Sequence, residues 1–389
     1  MAAPHPPRRP LGERTDAPRS GALLADFVRT AELAGRAVSG FHNRNYVLPL
    51  TADVARLLGR APGLPVTVRI RRTEALPVVI RTWANESEIL TAVGRRLPHV
   101  PECLVRGDGF AVHSYVDGVP LSSVCAGGKP VDRLLLGSLA GLLAQMTRVR
   151  RAELPPLPWL WPSDGADSRG FLWTLAHLAD RQIRRPNAPV FGGLFSALGI
   201  PEDALVRWGE RVPALTRRPF GLLHADLHRD NLILSHDGAS PPVMCVDWEL
   251  ASFGDPLHDL ATHLVRMRYP AHQWPEVVDA WADAMAHERP AAVRGLAEDL
   301  RWYVAFERAQ SVYPDVMRAA RSLEGPRDQK ALHEATAVVR RALETAAEPL
   351  GLRRVPEPAE IERLLTRWRT SRGTGTRVSR TDRTRTRRR

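Results

Sequence analysis

Between residues 21 and 116 the apolar positions fall in short runs broken by Gly, Pro or Asn. LAGRAVSGF (33–41), NYVLPL (45–50), VTVRI (66–70) and VVIRTW (78–83) are β-branched or alternating, and predict strands. TADVARLLGR (51–60) has helical spacing with Thr51 placed to cap it, and NESEILTAV (85–93) puts Ile89, Leu90 and Val93 on one helical face. Two further strands are expected in PECLVRG (101–107) and FAVHSYV (110–116). Together these make a small, mostly antiparallel sheet with one main helix.

Beyond residue 117 the period changes from two to 3.6. Helices are expected at 131–149, 168–185, 201–215, 272–287, 291–322, 328–349 and 357–370, with the Pro/Trp-rich stretch ELPPLPWLWPSDG (153–165) as a loop. One hairpin interrupts them, in which LILS (232–235) and VMCVDW (243–248) flank the turn-rich HDGASPP. The fold class is therefore α+β, with the boundaries 1–20 for an N-terminal tail, 21–116 for a sheet lobe, 117–370 for a helical lobe and 371–389 for a C-terminal tail.

That hairpin carries the chemistry. It is fed by HADLHRDN (224–231), which packs two histidines, two aspartates and an asparagine into eight residues. Antiparallel pairing sets the start of the first strand beside the end of the second, so Asn231 and Asp247 are neighbours, with Asp226 just upstream. An amide oxygen and carboxylates are hard donors suited to Mg2+, and a remaining carboxylate can take a hydroxyl proton. His224 and His228 are also spaced like the histidines of a helical zinc site. Ala225 stands where such a site needs Glu, however, and the segment runs into a β-branched strand. His224 is expected to brace the loop through backbone hydrogen bonds.

HADLHRDN, followed by VDWE and GDPLHDLA, resembles the catalytic segment of the aminoglycoside phosphotransferase and choline kinase-like families, small-molecule kinases of the protein-kinase-like two-lobe fold. The resemblance implies ATP or GTP as donor, Asp226 as base, Asn231 and Asp247 as metal ligands, and Asp255 or Asp259 as support for the loop. It also implies a basic residue on the third strand paired with a helix glutamate. Glu86 takes the glutamate position, with Glu88 as rival, and Arg69 stands where lysine is usual, with Arg71 and Arg81 as competitors. GFHNRNY (40–46) would cover the phosphates through its backbone around Asn43 and Asn45, and SYVDGVPL (114–121) would meet the base at Ser114 and Val116. The acceptor would be the hydroxyl of a small molecule such as an aminoglycoside or another amino or sugar alcohol. Asp279, Asp283, Glu298, Asp299, Glu307 and Asp315 are candidates to attract a cationic one.

Other readings are a protein kinase and a non-catalytic nucleotide-binding module. VDWE passes so quickly to GDPLHDLA that an activation segment has little room, and D-F-G and A-P-E are missing. A module that had lost catalysis would have lost one of Asp226, Asn231 or Asp247, and all three are present.

Charge changes the picture less than its total suggests. The 389 residues carry a net +12, but 371–389 hold eight arginines against one aspartate and the first twenty hold four against two acids. That leaves +3 for the body, too little for a nucleic-acid channel. Both tails lack apolar periodicity and are expected to be unstructured. Three separated cysteines suit a reducing cytoplasm, and the N-terminus has no apolar core of the signal-peptide kind. LLLGSLAGLLAQMT (134–147) is too short to span a bilayer and reads as a buried helix. A monomer or weak dimer is expected.

Overall fold

The computed structural model describes residues 17–382 other than Ser39, Phe41, 73–75, His99, 237–242 and 325–327; for 17–19 and 372–382 it describes the backbone alone. The chain divides into two compact units, Met1–Ala75 with Pro101–Tyr115, and Leu76–Val100 with Val116–Arg389.

In the first unit, helix α1 (Ala17–Ala34) precedes strands β1 (Arg36–Val38) and β2 (Asn43–Pro49), helix α2 (Ala52–Leu58) and strand β3 (Pro65–Arg71). Strands β4 (Cys103–Gly107) and β5 (Phe110–Ser114) complete an antiparallel sheet of order β1-β2-β3-β5-β4. Period-two alternation buries Leu48, Val66, Val68 and Val112 on one face, where Phe27 and Ala31 of α1 and Val54 and Ala55 of α2 join them. Each fully buried Val, Leu or Phe contributes about 1.5–3 kcal/mol. Thr51 caps α2 as expected, its Oγ1 accepting from Val54 N at 3.4 Å. Helix α1 corrects the reading of 33–41 as a strand, of which only β1 survives. The helical spacing of Leu23, Leu24, Phe27, Val28 and Ala31 was the signal for it.

The second unit begins at Leu76. VVIRTW forms no strand, contrary to its pattern, and a side chain takes up the backbone of its central Arg81. The Gln182 side chain accepts from Arg81 N (2.8 Å) and donates to Arg81 O (3.2 Å). Helix α3 (Glu86–Val93), capped by Asn85, also belongs to this unit and not to the sheet unit in which it was expected.

Next come β6 (Gly118–Pro120), α4 (Leu121–Val124), α5 (Arg133–Met146), α6 (Ser168–Ala179), a π-helical turn (Asp180–Arg184), α7 (Arg185–Ala197) and α8 (Ala204–Glu210). Then follow β7 (Gly221–Leu223), β8 (Leu232–Ser235), β9 (Val243–Cys245), β10 (Ser252–Gly254), α9 (Pro256–Arg266), α10 (Trp274–Glu288), α11 (Leu296–Arg321), α12 (Gln329–Leu350) and α13 (Pro358–Asp382). The expected hairpin is β8–β9, but β6 pairs with it as a third strand and β7 pairs with β10, so it is not alone.

Helix α5 is the buried helix anticipated at 134–147, and α11 lies among α9 and α12 with Tyr303, Phe306, Val312, Tyr313 and Val316 fully buried. Helix α7 was missed because Pro186 and Pro189 argue against a helix. The preceding π turn shifts the hydrogen-bond register that they would break. Helix α8 is shorter than the 201–215 expected. Helix α13 continues to Asp382, so the expectation of an unstructured chain from 371 fails that far; arginine is a good helix former, and extending a helix costs less than nucleating one. Residues 383–389 and 1–16 lie outside the described residues. No described helix is long and apolar enough to cross a membrane.

Candidate active site

The loop from His224 to Asn231 leaves β7 and enters β8, and buried side chains hold its backbone. Ala225 adopts a left-handed conformation (φ 59°), uncommon for a residue with a Cβ. The Asp259 carboxylate on α9 fixes it, accepting from His224 N and Ala225 N, both at 2.7 Å. Burial pushes the Asp259 carboxyl up, to about 7, against the pull of those two N–H groups. His224 accepts from Asp226 N at Nδ1 (3.2 Å) and donates from Nε2 to Val246 O (3.1 Å). Burial depresses its pKa, so it is a neutral brace, and both ring nitrogens are spent on backbone. His228 Nδ1 likewise accepts from Asp230 N (3.2 Å). The zinc alternative therefore fails on geometry.

Further down the loop, His263 donates to Leu227 O (3.1 Å) and bonds the Tyr269 hydroxyl (2.8 Å). Arg229, almost fully buried, donates to the carbonyls of Met267, Cys125 and Lys129 at 2.7–2.8 Å. The loop is thus anchored along most of its length.

Asp226 is held through its main chain and its carboxylate together. Asn231 Nδ2 donates to its Oδ2 (3.2 Å) and to its main-chain oxygen (2.9 Å), while Arg266, on the last turn of α9, donates to Oδ1. Burial works to push this carboxyl up, but Arg266, then His228 and His224, outweigh it and hold it below the usual carboxylate range. Asp226 is therefore an anion at neutral pH, with 14% of its side chain exposed.

Asp247 follows β9, also left-handed (φ 66°). The β8–β9 register sets Leu232 against Cys245, and Val246 N donates to Asn231 O (3.0 Å), which puts Asp247 next to Asn231. The charges of Asp226 and Asp247 both bear on the buried His224 and on the buried Cys245 thiol. Because Asn231 donates through Nδ2, its Oδ1 is the acceptor end. That oxygen and the Asp247 carboxylate are hard donors that fit a divalent cation such as Mg2+. Glu86 accepts from Trp248 N (2.9 Å) and so fixes the chain just after Asp247, while Arg81 is taken up by Glu249 at 3.0 Å.

Asp255 and Asp259 support different things. Asp255 caps α9 through Leu257 N (3.0 Å) and pairs with the fully buried Arg218 (2.8 Å), which also reaches Asp299 (2.7 Å); Tyr303 donates to Asp255 at 2.7 Å. The preceding Gly254 lies against the Phe171 ring, where a Cβ would stand 2.1 Å from a ring carbon.

In the sheet unit, Asn45 on β2 is directly opposite Arg69 on β3, and Asn43 opposite the exposed Arg71. Paired positions share a face, so Arg69 and Asn45 project together. Ser114 corrects part of the expectation for the adenine edge: its N–H is spent on Glu102 O (2.8 Å) and its hydroxyl accepts from Glu102 N (2.9 Å), because β4 closes on β5 there. Val116 lies between β5 and β6, partly exposed.

Sequence reasoning did not name Arg266, Arg218, Arg229 or His263, and named Glu307 only as an acid that could attract a cationic acceptor. A signal existed for Arg266, which stands seven residues, two helical turns, after Asp259 and hence on the same face of α9. Its Nε also lies 3.5 Å from Glu307 Oε2 on α11. Arg266, Glu307, Gln310 and His258 line a cavity of about 30 Å³, space for a water or two.

A family model described as "Phosphotransferase enzyme family" matches residues 35–296. Among solved structures, an ethanolamine kinase from Plasmodium vivax is similar at 13% identity and a TM-score of 0.51, over 86% of this chain and 96% of that one. A putative aminoglycoside phosphotransferase from Ralstonia eutropha is similar at 15% identity and 0.51, over 85% and 98%. An amicoumacin kinase in complex with AMP-PNP, Ca2+ and Ami is similar at 12% identity and 0.51, over 84% and 93%. At these identities the likeness is one of fold, that of the protein-kinase-like small-molecule kinases. No curated protein sequence matches the chain.

Proposed function

Since the chain belongs to the phosphotransferase enzyme family, we propose that it transfers the γ-phosphoryl group of ATP or GTP to a hydroxyl of a small molecule, with Asp226 as base and Asn231 and Asp247 as ligands of Mg2+. The observation that carries this reading is the state of Asp226. It is ionised, its two oxygens are oriented by Asn231 and Arg266, and it adjoins Asn231, whose neighbour across the hairpin is Asp247.

Phosphoryl transfer asks a protein mainly for position and charge. Asp226 orients the acceptor hydroxyl and takes its proton. Asn231 steadies Asp226 with its amide nitrogen while offering its oxygen to the metal, so base and metal site share one side chain. Mg2+ held by Asn231 and Asp247 would neutralise triphosphate charge. Arg69 and Asn45, side by side on the sheet, are the groups proposed to meet the phosphates. A small acceptor is favoured over a protein because the chain between Asp247 and Asp255 is used up by a single turn and β10.

The test is transfer of label from γ-32P-ATP and γ-32P-GTP to aminoglycosides, macrolides, choline, ethanolamine and sugars, with Asp226→Asn as control. Mg2+-dependent transfer that vanishes in the variant supports the reading, and transfer that survives in the variant removes Asp226 as base.

A further inference from the structure

Glu307 was expected to draw a cationic acceptor, but it is 2% exposed and its carboxylate is engaged from within the second unit. Its Oε2 accepts from Gln310 Nε2 (3.2 Å) and faces Nε of Arg266 at 3.5 Å. Its Oε1 lies 4.0 Å from Nδ1 of His258. Arg266 in turn donates to Oδ1 of Asp226, so His258, Glu307, Arg266 and Asp226 form one chain of neighbours from the first turn of α9 to the base.

The mechanism above gives His258 no part. Its ring, 5% exposed, is set among Phe171 and Phe306, with centroids at 5.9 Å, and Tyr303 at 6.4 Å. Burial depresses its pKa, so the ring is neutral. Such surroundings would hold a phenylalanine as well, yet the position carries an imidazole whose Nδ1 has no hydrogen-bond partner. A buried polar atom left unpaired is costly, and such an atom calls for a bound partner.

His258, Glu307, Gln310 and Arg266 all line the cavity of about 30 Å³. At 4.0 Å, Nδ1 and Oε1 are too far apart to bond directly. One oxygen about 2.8 Å from each would join them, and the cavity has room for it. Water suits the place, because it donates to the carboxylate and serves the ring nitrogen in either tautomer.

We infer that His258 is a positioning residue for phosphoryl transfer: through a water bound in this cavity it fixes the Glu307 carboxylate, which aims Arg266 at Asp226. This rests on the reading of Asp226 as base. With Oε1 held by the bridge and Oε2 by Gln310, Glu307 has one orientation in which to meet Arg266. Without the bridge the carboxylate rotates, Arg266 follows it, and the oxygens of Asp226 lose their alignment on the acceptor hydroxyl. A small misplacement at the reacting centre is expensive in rate.

The test is steady-state transfer by the full chain, with Mg2+ and γ-32P-ATP, to whichever acceptor of the panel above is phosphorylated. His258→Phe keeps a ring among the aromatic neighbours and removes the nitrogen. Its kcat should fall about tenfold, the scale of one hydrogen bond to a charged group, with KM for ATP unchanged. His258→Asn puts an amide where Nδ1 was and gives up ring packing, so it should melt lower yet keep more kcat than His258→Phe. In an Arg266→Gln background, His258→Phe should cost nothing further. The inference falls if His258→Phe turns over like the parent, if His258→Asn is no more active than His258→Phe, or if the loss is the same with Arg266 replaced. A crystal structure of the parent serves even where a variant fails to fold: an ordered water on both Nδ1 and Oε1 is expected, and a dry cavity overturns the inference. Transfer that survives Asp226→Asn would bring down the base reading and the inference with it, whereas transfer lost in Asp226→Asn but intact in His258→Phe would end the inference alone.

Discussion

Arg266 joins the loop to α11: it donates to Oδ1 of Asp226 while its Nε lies 3.5 Å from Glu307. Removing it leaves two carboxylates facing one another without their shared cation. For Arg266→Gln we expect kcat to fall about 10- to 100-fold, a loss of roughly 1.4–2.7 kcal/mol in transition-state stabilisation. The second substitution Glu307→Gln should relieve part of the damage, with a coupling above about 0.5 kcal/mol in a double-mutant cycle. Additive effects would mean that Arg266 serves Asp226 without regard to α11.

Asp226 and Asp247 have different proposed roles and should fail differently. Asp226→Asn keeps the side chain's shape and its contact with Asn231 but loses the proton acceptor. Nucleotide affinity should stay within about threefold while turnover drops by 10²–10⁴. Asp247→Asn should instead abolish the Mg2+ dependence of nucleotide binding. Titration calorimetry with and without Mg2+ separates the two, and identical behaviour of both variants would show that base and metal roles are not divided this way.

Asp259 makes the loop's geometry. Its two oxygens accept two N–H groups at 2.7 Å, one from His224 and one from the left-handed Ala225. An asparagine offers one acceptor and sets an N–H donor against another N–H. Asp259→Asn should therefore cost about 1–3 kcal/mol of stability and lower kcat. Glycine at position 225 should restore part of kcat, because it takes the left-handed conformation without help. Thermal melts and steady-state rates on the single and double variants decide it.

How much of this was legible in the sequence depended on the range of each interaction. Asn231 and Asp247 could be paired because a hairpin fixes its own register within sixteen residues. Helix α9 was not among the expected helices and Asp255 was expected only to support the loop, although Asp255 before Pro256 is a helix-start signal. Glu86 was picked out for a strand arginine, but its bond to Trp248 N joins residues 162 apart and left no trace in local pattern. Arg218 met Asp255 and Asp299 only through tertiary packing, and a lone arginine before a strand looks like surface. VVIRTW shows the converse failure: its pattern was that of a strand, and the Gln182 side chain took both backbone bonds of Arg81.

Helix α13 is anchored by its first half. Ile361, Leu365 and Trp368 are buried; the Trp368 ring stacks on Phe191 at 5.2 Å, and its Nε1 donates to Val190 O (3.1 Å). Trp368→Ala should cost about 3–5 kcal/mol. Ending the chain after Ser371 should leave the melting temperature unchanged, because these buried anchors all precede that point. A melt in which the truncation destabilises as much as the substitution would place binding energy in the arginine-rich end.

Acid should unfold the protein through histidines that are neutral when buried. His113, on β5 and 2% exposed, has Nε2 without a hydrogen-bond partner; burial, together with the charge of Arg69, brings its pKa down to about 3. His263 is brought down by burial to about 4. In the unfolded chain both titrate near 6.5. Below that pH the unfolded state binds protons that the folded state refuses. The stability these groups contribute is therefore complete above about pH 6.5 and is lost as pH falls towards their folded values, at up to about 1.4 kcal/mol per pH unit for each group. His113→Leu removes one of them without creating a cavity of any size. Chemical denaturation at pH 7 and pH 5 should show the variant losing about 1–2 kcal/mol less than the parent over that interval. Equal losses in the two proteins would mean that His113 takes up its proton without unfolding the sheet.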